Sequence, residues 1–378
     1  MKQKKFSLYA ASALLAMSFN TQAADPIKFG MVVESTGPNA ESGVYQINGA
    51  KLAVDEINAA GGVLGRKIEV QTEDNQSTNP GSVLAVSKLT SSGNITALIS
   101  SIRSTQIQAI APTVAKAGLP MMIGGTDYTL THTNNPWLFR ARPNDGYSAK
   151  VIADYGVNTL KLKKWAVIHA TDAFGNGGKN NLVESLKALG ITPVLVQGFT
   201  SNSQDFTPIV LAIKQSGADI VSSYITNSPD VGIFAKQLRQ LGVKATWVGS
   251  PSLSTDTAMK LAGDALYDSY SIADFAIESS PEAKAYADKY RTTYKIEPDL
   301  YSSWPYDSVK LLALAITNAN STKPDDIIKA LHAIKGYKGV EGTYTFDKNG
   351  DGLHGYNIVK NVQGKIVFEK HIDFAPKD

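Results

Sequence analysis

Short apolar runs alternate with stretches of helical periodicity along most of this chain, and that alternation constrains its fold more than any other feature. IKFGMVV (27–33), KIEVQTED (67–74), ITALISS (95–101) and PMMIGG (120–125) read as strands. Between them, residues 43–60, 80–92 and 104–117 repeat apolar positions at helical spacing, and the first and last of these helices stop at Gly61-Gly62 and Gly118. Strands that alternate with helices in this way build a parallel sheet with helices on both faces, because each parallel connection needs a crossover.

The pattern then restarts. KKWAVIHA, TPVLVQGFT, DIVSSYI and KATWVGS read as strands, with helices over 175–189, 205–216 and 229–241 between them. The expected architecture is therefore α/β, with two doubly wound parallel-sheet lobes, which a chain of 378 residues requires in any case. Helices over 281–294, 303–319 and 324–333 do not make a domain of their own and are expected to return to the first lobe. The terminal segment 342–370 reads as a series of β-hairpins, with turns at Asn349-Gly350 and Gln363-Gly364.

The first 23 residues differ from the rest. Lys2, Lys4 and Lys5 precede the apolar stretch FSLYAASALLAMSF, and Thr21 and Ala23 stand where a signal peptidase reads. A secretory signal cleaved after Ala23 is expected. The stretch is too short to span about 30 Å of hydrocarbon. The chain has no cysteine, which excludes disulfides, thiolate metal sites and a lipid-modified N-terminal Cys. The expected location is the periplasm of a Gram-negative cell. A formal net charge of +3, with no basic cluster beyond the N-terminus, argues against nucleic acid as a partner.

Within this frame, SIRSTQIQAIAP (101–112) places Ser104 and Thr105 where a buried strand hands over to a helix. In a doubly wound sheet, ligands bind beyond the carboxyl ends of the strands, where helix N-termini point inward. The first turn of a helix leaves N–H groups without intrahelical partners, and an anion satisfies them. Ser104 either caps its helix or joins that anion site. The next strand ends in IGGTDYTLT (123–131), where Gly124 and Gly125 admit close approach, Thr126 offers a hydroxyl and Asp127 a carboxylate. Two neighbouring strand ends with small polar residues suit a small-molecule site.

These residues carry a resemblance. Ser104-x4-Ala109-x2-Pro112, Gly118-Leu119-Pro120, Thr126 and Leu130-Thr131 resemble the periplasmic amino-acid-binding proteins of ABC importers, in particular the leucine/isoleucine/valine-binding family. STGPNAESG, DEINAAGGVLGRKIEV, DAFGNGG, QDFTPIV and PYDSVKLLALAI agree in order and spacing. The resemblance implies two lobes joined by three crossovers. Lobe I is 24–143 plus 275–352 and lobe II is 144–274 plus 353–378, closing on a ligand by hinge motion. It implies a monomer that delivers a carboxylate-bearing solute to an inner-membrane ABC permease, with no cofactor. Ser104 matches the serine that holds the ligand carboxylate, and Thr105 contributes a backbone N–H. Thr126, with a carbonyl near Gly125, faces an ammonium group. Ser42 matches a loop position near the ligand. Ile102, Phe174 and Tyr301 match an apolar wall.

Two matches depart from the family pattern. Its lobe-two tyrosine falls at Asn227, and the glutamate that pairs the ammonium falls at Pro251. An ammonium buried without an anion is costly. Asp127 or Asp172 must neutralise it, with Asp127 favoured, or the ligand has no α-amino group and is an aromatic acid, a keto acid or an amide. Arg103 points to solvent or binds a second anionic group. A sensory binding protein on the same fold is the other reading.

Other motifs carry less. DKNGDG (347–352) begins like a calcium loop, but the twelfth position is Ile358 where a glutamate is needed, so a turn is expected. The histidines are not at metal-ligand spacing, and no metal site is expected. No nucleophile elbow surrounds Ser104, and His169 reads as a buried strand residue, so an enzyme is not expected.

Overall fold

The structure, a computed structural model, describes residues 24–374. The segment read as a secretory signal lies outside the described residues. In chain order the first series is β1 (Ile27–Val33), α1 (Ala40–Ala59), β2 (Ile68–Asp74), α2 (Asn79–Ser91), β3 (Ala97–Ile99), α3 (Ser104–Ala117), β4 (Met121–Ile123) and β5 (Leu138–Arg140). The second is α4 (Asp145–Asp154), β6 (Trp165–Ala170), α5 (Ala173–Ala188), β7 (Leu195–Phe199), α6 (Thr207–Ser216), β8 (Ile220–Tyr224), α7 (Ser228–Gln240), β9 (Thr246–Gly249), α8 (Asp256–Ala262) and β10 (Tyr270–Ala273). Then come α9 (Pro281–Tyr294), α10 (Leu300–Ala319), α11 (Pro324–His332), β11 (Tyr337–Lys338), β12 (Thr343–Tyr344), β13 (Gly355–Val362) and β14 (Lys365–Asp373).

The first sheet is parallel, in the order β2-β1-β3-β4-β5. The second contains β7-β6-β8-β9-β10, which is the same winding order, and β13 and β14 extend it antiparallel from β10. Both halves are thus doubly wound, with a switch point between their first and third strands. The buried strands are near-continuous apolar runs because helices cover both faces.

Helices α9, α10 and α11 pack on the first sheet. Trp304, Val309, Leu312 and Ile316 of α10 share a core with Phe29 and Met31 of β1 and Ala53 of α1. Each such side chain, fully buried, contributes about 1.5–3 kcal/mol. Asp299 starts α10 with a capping box: its carboxylate accepts from Tyr301 N (2.9 Å), and Ser302 Oγ accepts from Asp299 N (3.2 Å).

The hairpin expected at Gln363-Gly364 forms between β13 and β14, with positive φ at both turn residues (52° and 84°). The Asn349-Gly350 turn also forms, but it does not join two paired strands: β12 pairs with β11, and residues 345–354 lead across to the second sheet. β5, β10, β11, α4 and α8 were not read from the sequence. β5 and β10 are too short for a periodic signal, with 3 and 4 residues, and α4 begins directly at the chain crossing that follows β5.

The chain passes between the sheets after β5, after β10 and before β13. Buried ion pairs fasten these passages to one another. Arg140 Nε donates to Asp351 Oδ1 at 2.7 Å, linking the first to the third. Arg142 Nε donates to Asp274, linking the first to the second. Asn144 Nδ2 adds a bond to Asp351 Oδ2 at 2.7 Å. Among the described residues, no helix is long and apolar enough to cross a membrane.

Candidate functional site

The carboxyl ends of β3 and β4 face those of β8 and β9 across a cavity. Ile102, Arg103, Ser104 and Thr126 line it from the first side, and Phe174, Thr226, Pro251 and Ser252 from the second. Arg142, from the first chain passage, and Leu300 and Tyr301, from the start of α10, complete the wall. Its open space is about 400 Å³. That suits a small solute and excludes a polymer. A larger depression of about 1320 Å³ lies beside α4, α5 and the end of β14, away from the strand ends.

Contacts across the cavity hold the two sides together. Arg103 Nη1 donates to the Thr226 carbonyl at 2.6 Å, and Ala173 N donates to Thr105 Oγ1 at 3.2 Å. Tyr45 OH donates to Asp256 Oδ2 at 3.1 Å. Tyr301 OH lies 3.5 Å from Ser228 Oγ. The two halves of the site are thus in contact.

Helix α3 presents its N-terminus to this cavity. Arg103 is its N-cap, with no side-chain cap bond, and Ser104 is its first helical residue. Of the two readings of Ser104, the capping one is not realised. Its hydroxyl accepts from Asp127 N at 3.2 Å, tying the end of β4 to the start of α3. The first intrahelical bond runs from Ile107 N to Arg103 O at 3.0 Å, so the N–H groups of Ser104, Thr105 and Gln106 precede it. With the positive end of the helix dipole, they favour an anion.

Six of the expected residues therefore meet at one cavity: Ile102, Ser104, Thr126, Phe174, Pro251 and Tyr301. The others stand elsewhere, each for a visible reason. Ser42 is spent inside α1, donating to Asn39 O at 2.8 Å. Asn227 starts α7 and donates to Asn202 Oδ1 at 3.1 Å, while its neighbour Thr226 lines the cavity. Thr105 points its hydroxyl at Ala173 N on the opposite side rather than into the cavity. Gly125 is buried in packing: a Cβ there would sit 2.7 Å from Ile107 Cδ1 and 3.0 Å from Ser104 Oγ.

The carboxylates expected to neutralise an ammonium are engaged outside the cavity. Asp127 accepts from Thr129 N at 2.9 Å and from the Thr129 hydroxyl, and its other oxygen faces Gly177 of α5. Asp172 caps α5 through Gly175 N (2.8 Å) and accepts from Thr226 Oγ1 (2.6 Å) and Ser201 Oγ (3.3 Å). Neither lines the cavity, and among the described residues no Asp or Glu does.

The carbonyls of residues 124–127 are taken as well. Gly124 O accepts from Arg142 Nη1 (2.7 Å), and Gly125 O from Arg140 Nη1 (2.7 Å). Thr126 O accepts from Asp145 N (2.8 Å), and Asp127 O from Arg140 Nη1 (2.9 Å). The strand end that the resemblance assigns to an ammonium thus faces two buried guanidiniums.

Electrostatics follow from this packing. Burial opposes the charge of Arg142, but the touching Asp274 carboxylate, Tyr356 and Glu341 together outweigh it, and its pKa is raised. Glu341, beside the pair, is pushed well up by burial and by Asp274. Glu34 is fully buried and pushed up by desolvation, with Arg103, 4.0 Å away, pulling the other way. Burial, then the neighbouring Asp127, pushes Asp145 up to about 8. His169 bonds to the Ala170 carbonyl at 2.9 Å, away from the cavity.

Arg142, Thr226, Ser252 and Leu300 were missed from the sequence. The available signal was the pair Arg140/Arg142 in LFRARP, two charges at and just beyond the end of β5 that turn out to be buried.

Comparison with known proteins agrees with this architecture. A family model described as periplasmic binding protein matches residues 26–365. An amino acid binding protein of Pseudomonas aeruginosa is 30% identical over 359 residues, covering 93% of this chain and 94% of the relative. The leucine-specific-binding protein of Salmonella typhimurium is 27% identical, covering 99% and 98%. Among solved structures, a branched-chain amino acid transporter substrate binding protein of Streptococcus pneumoniae in complex with isoleucine matches with TM-score 0.84 at 27% identity. That match covers 93% of this chain and 100% of the other.

Proposed function

We propose, from the premise that the chain belongs to the periplasmic binding protein family, that it is the solute receptor of an ABC importer. It takes a small carboxylate with a hydrophobic tail, the range that includes the branched-chain and other hydrophobic amino acids bound by its relatives. It works in the periplasm after removal of residues 1–23 and hands its ligand to an inner-membrane permease. Lobe I is 24–143 plus 275–352, and lobe II is 144–274 plus 353–378. The observation that carries this reading is the N-terminus of α3, with Ser104 and Thr126, opening into a cavity that both sheets wall.

The mechanism is capture followed by closure. The carboxylate docks on lobe I, where it accepts from the Ser104 hydroxyl, the free first-turn N–H groups and Thr126, all charge-assisted. Phe174, Pro251 and Tyr301 then enclose the tail as the lobes meet. Arg103–Thr226 and Thr105–Ala173 lock the closed form. The ligand drives closure by binding the closed form more tightly than the open one. A thermal-shift screen over amino acids, aromatic acids, keto acids and amides tests this, combined with small-angle scattering. A carboxylate that raises the Tm and contracts the protein is expected. Stabilisation by non-acids alone refutes it.

A further inference from the structure

We infer that the ligand is an amine-free acid with an acceptor oxygen beside its carboxylate, a 2-oxo or 2-hydroxy acid, and that Arg142 reads this oxygen. The inference rests on the proposed receptor function and narrows its ligand class. The local chemistry at the end of β4 carries it. An ammonium there needs acceptors, yet the carbonyls of Gly124, Gly125, Thr126 and Asp127 already accept from Arg142, Arg140 and Asp145 N. It also needs an anion, yet no Asp or Glu among the described residues lines the cavity, while Arg103 and Arg142 both do. An ammonium would find no acid on the cavity wall, a buried arrangement that costs heavily.

An oxygen acceptor meets the opposite situation. Arg142 is nearly fully buried and spends Nε on Asp274 and Nη1 on Gly124 O. Its Nη2 makes no hydrogen bond among the described residues. Arg142 lines the same cavity as Ser104 and Thr126. On the other flank, Arg103 Nε is buried without a hydrogen-bond partner among the described residues. Arg142 thus keeps a donor unused at the cavity, while Arg103 Nε lies 4.0 Å from the buried Glu34 carboxylate. A site built of donors rejects a ligand that brings donors of its own by a large factor.

The test uses two matched sets on the purified protein, by calorimetry and thermal shift. The aliphatic set is leucine, 4-methyl-2-oxopentanoate, 4-methylpentanoate and 4-methylpentanamide. The aromatic set is phenylalanine, phenylpyruvate, 3-phenylpropanoate and its amide. In the set whose tail fits, the 2-oxo acid is expected to bind about 100-fold or more tightly than the amino acid. It is expected to bind about 10-fold more tightly than the acid lacking the oxygen. An amino acid that equals or beats its 2-oxo partner overturns the inference and leaves the carboxylate receptor standing. An amide that beats its acid overturns both. Failure of every member of both sets overturns the inference.

Arg142→Lys keeps a cation for Asp274 but gives up the planar fork. It is expected to shrink the preference for the 2-oxo acid over the plain acid towards unity. If both lose affinity equally, Arg142 is structural and the assignment to it falls.

Discussion

Gly177→Ala is expected to weaken ligand binding without harming the unliganded protein. Gly177 lies in α5 on lobe II, and a Cβ there would press on Asp127 Oδ2 of lobe I, well inside the 3.0 Å that real Cβ contacts respect. Asp127 cannot swing away freely, because its other oxygen holds Thr129 N at 2.9 Å. Overpacking of this kind costs about 1–3 kcal/mol. The overlap exists only where the lobes touch, so the cost falls on the closed state, and affinity drops about 5–150-fold. In the open protein the substitution acts only within α5, where Ala is favoured over Gly by about 1 kcal/mol. The signature is thus an unliganded Tm that is unchanged or higher, with a Kd that is larger. Titration calorimetry with the best-binding acid of the matched sets measures the second, and differential scanning calorimetry the first. Adding Asp127→Ala should restore part of the affinity by removing the obstructing oxygen. An unchanged Kd, or a Tm that falls without ligand, refutes the argument that α5 and Asp127 meet on closure.

Ser104→Ala should weaken binding by about 1.5–3 kcal/mol, the scale of a hydrogen bond to a charged group, measured by titration. Thr105→Val removes the acceptor for Ala173 N and should cost about 1 kcal/mol of affinity. Because Thr105 acts across the lobes, scattering should show less contraction at a given ligand concentration. The pH dependence follows from raised carboxyls: burial lifts Asp299 to about 7 and Asp145 to about 8. Their pKa values are higher folded than unfolded, so this stability is fully present below the ordinary Asp value and is lost as pH rises through 7–8. Tm should therefore climb between pH 8.5 and 7. Below about 6.5, His169 and His371, both lowered by burial, pull the other way. Asp299→Asn keeps an acceptor for Tyr301 N and should flatten the slope between pH 8 and 7; an identical slope removes Asp299 from the account.

Much of the fold was legible because its signals are local. Strand β6 is apolar at nearly every position and α10 repeats its apolar residues over 20 residues. β5 escaped notice because three residues, LFR, end in a charge, and only the tertiary pairing of Arg140 with Asp351 makes that charge tolerable in a core. Among the site residues, Ser104 and Thr126 were readable from the strand-to-helix junctions that carry them. Ser42 and Asn227 were not separable from cavity residues, because a hydroxyl or amide looks the same in sequence whether it caps its own backbone or faces a ligand.

The sequence by itself determined the two doubly wound halves and the placement of an anion-favouring helix start at a strand end, since periodicity and capping are written in consecutive residues. Only the tertiary structure decided the sign of the cavity around it. That sign depends on which acids and carbonyls are already paired, and the partners of Asp172, Gly124 and Gly125 stand 54, 18 and 15 residues away in the chain. Charge neutralisation in a core is a matter of distances of a few ångströms in space, and linear order does not encode it.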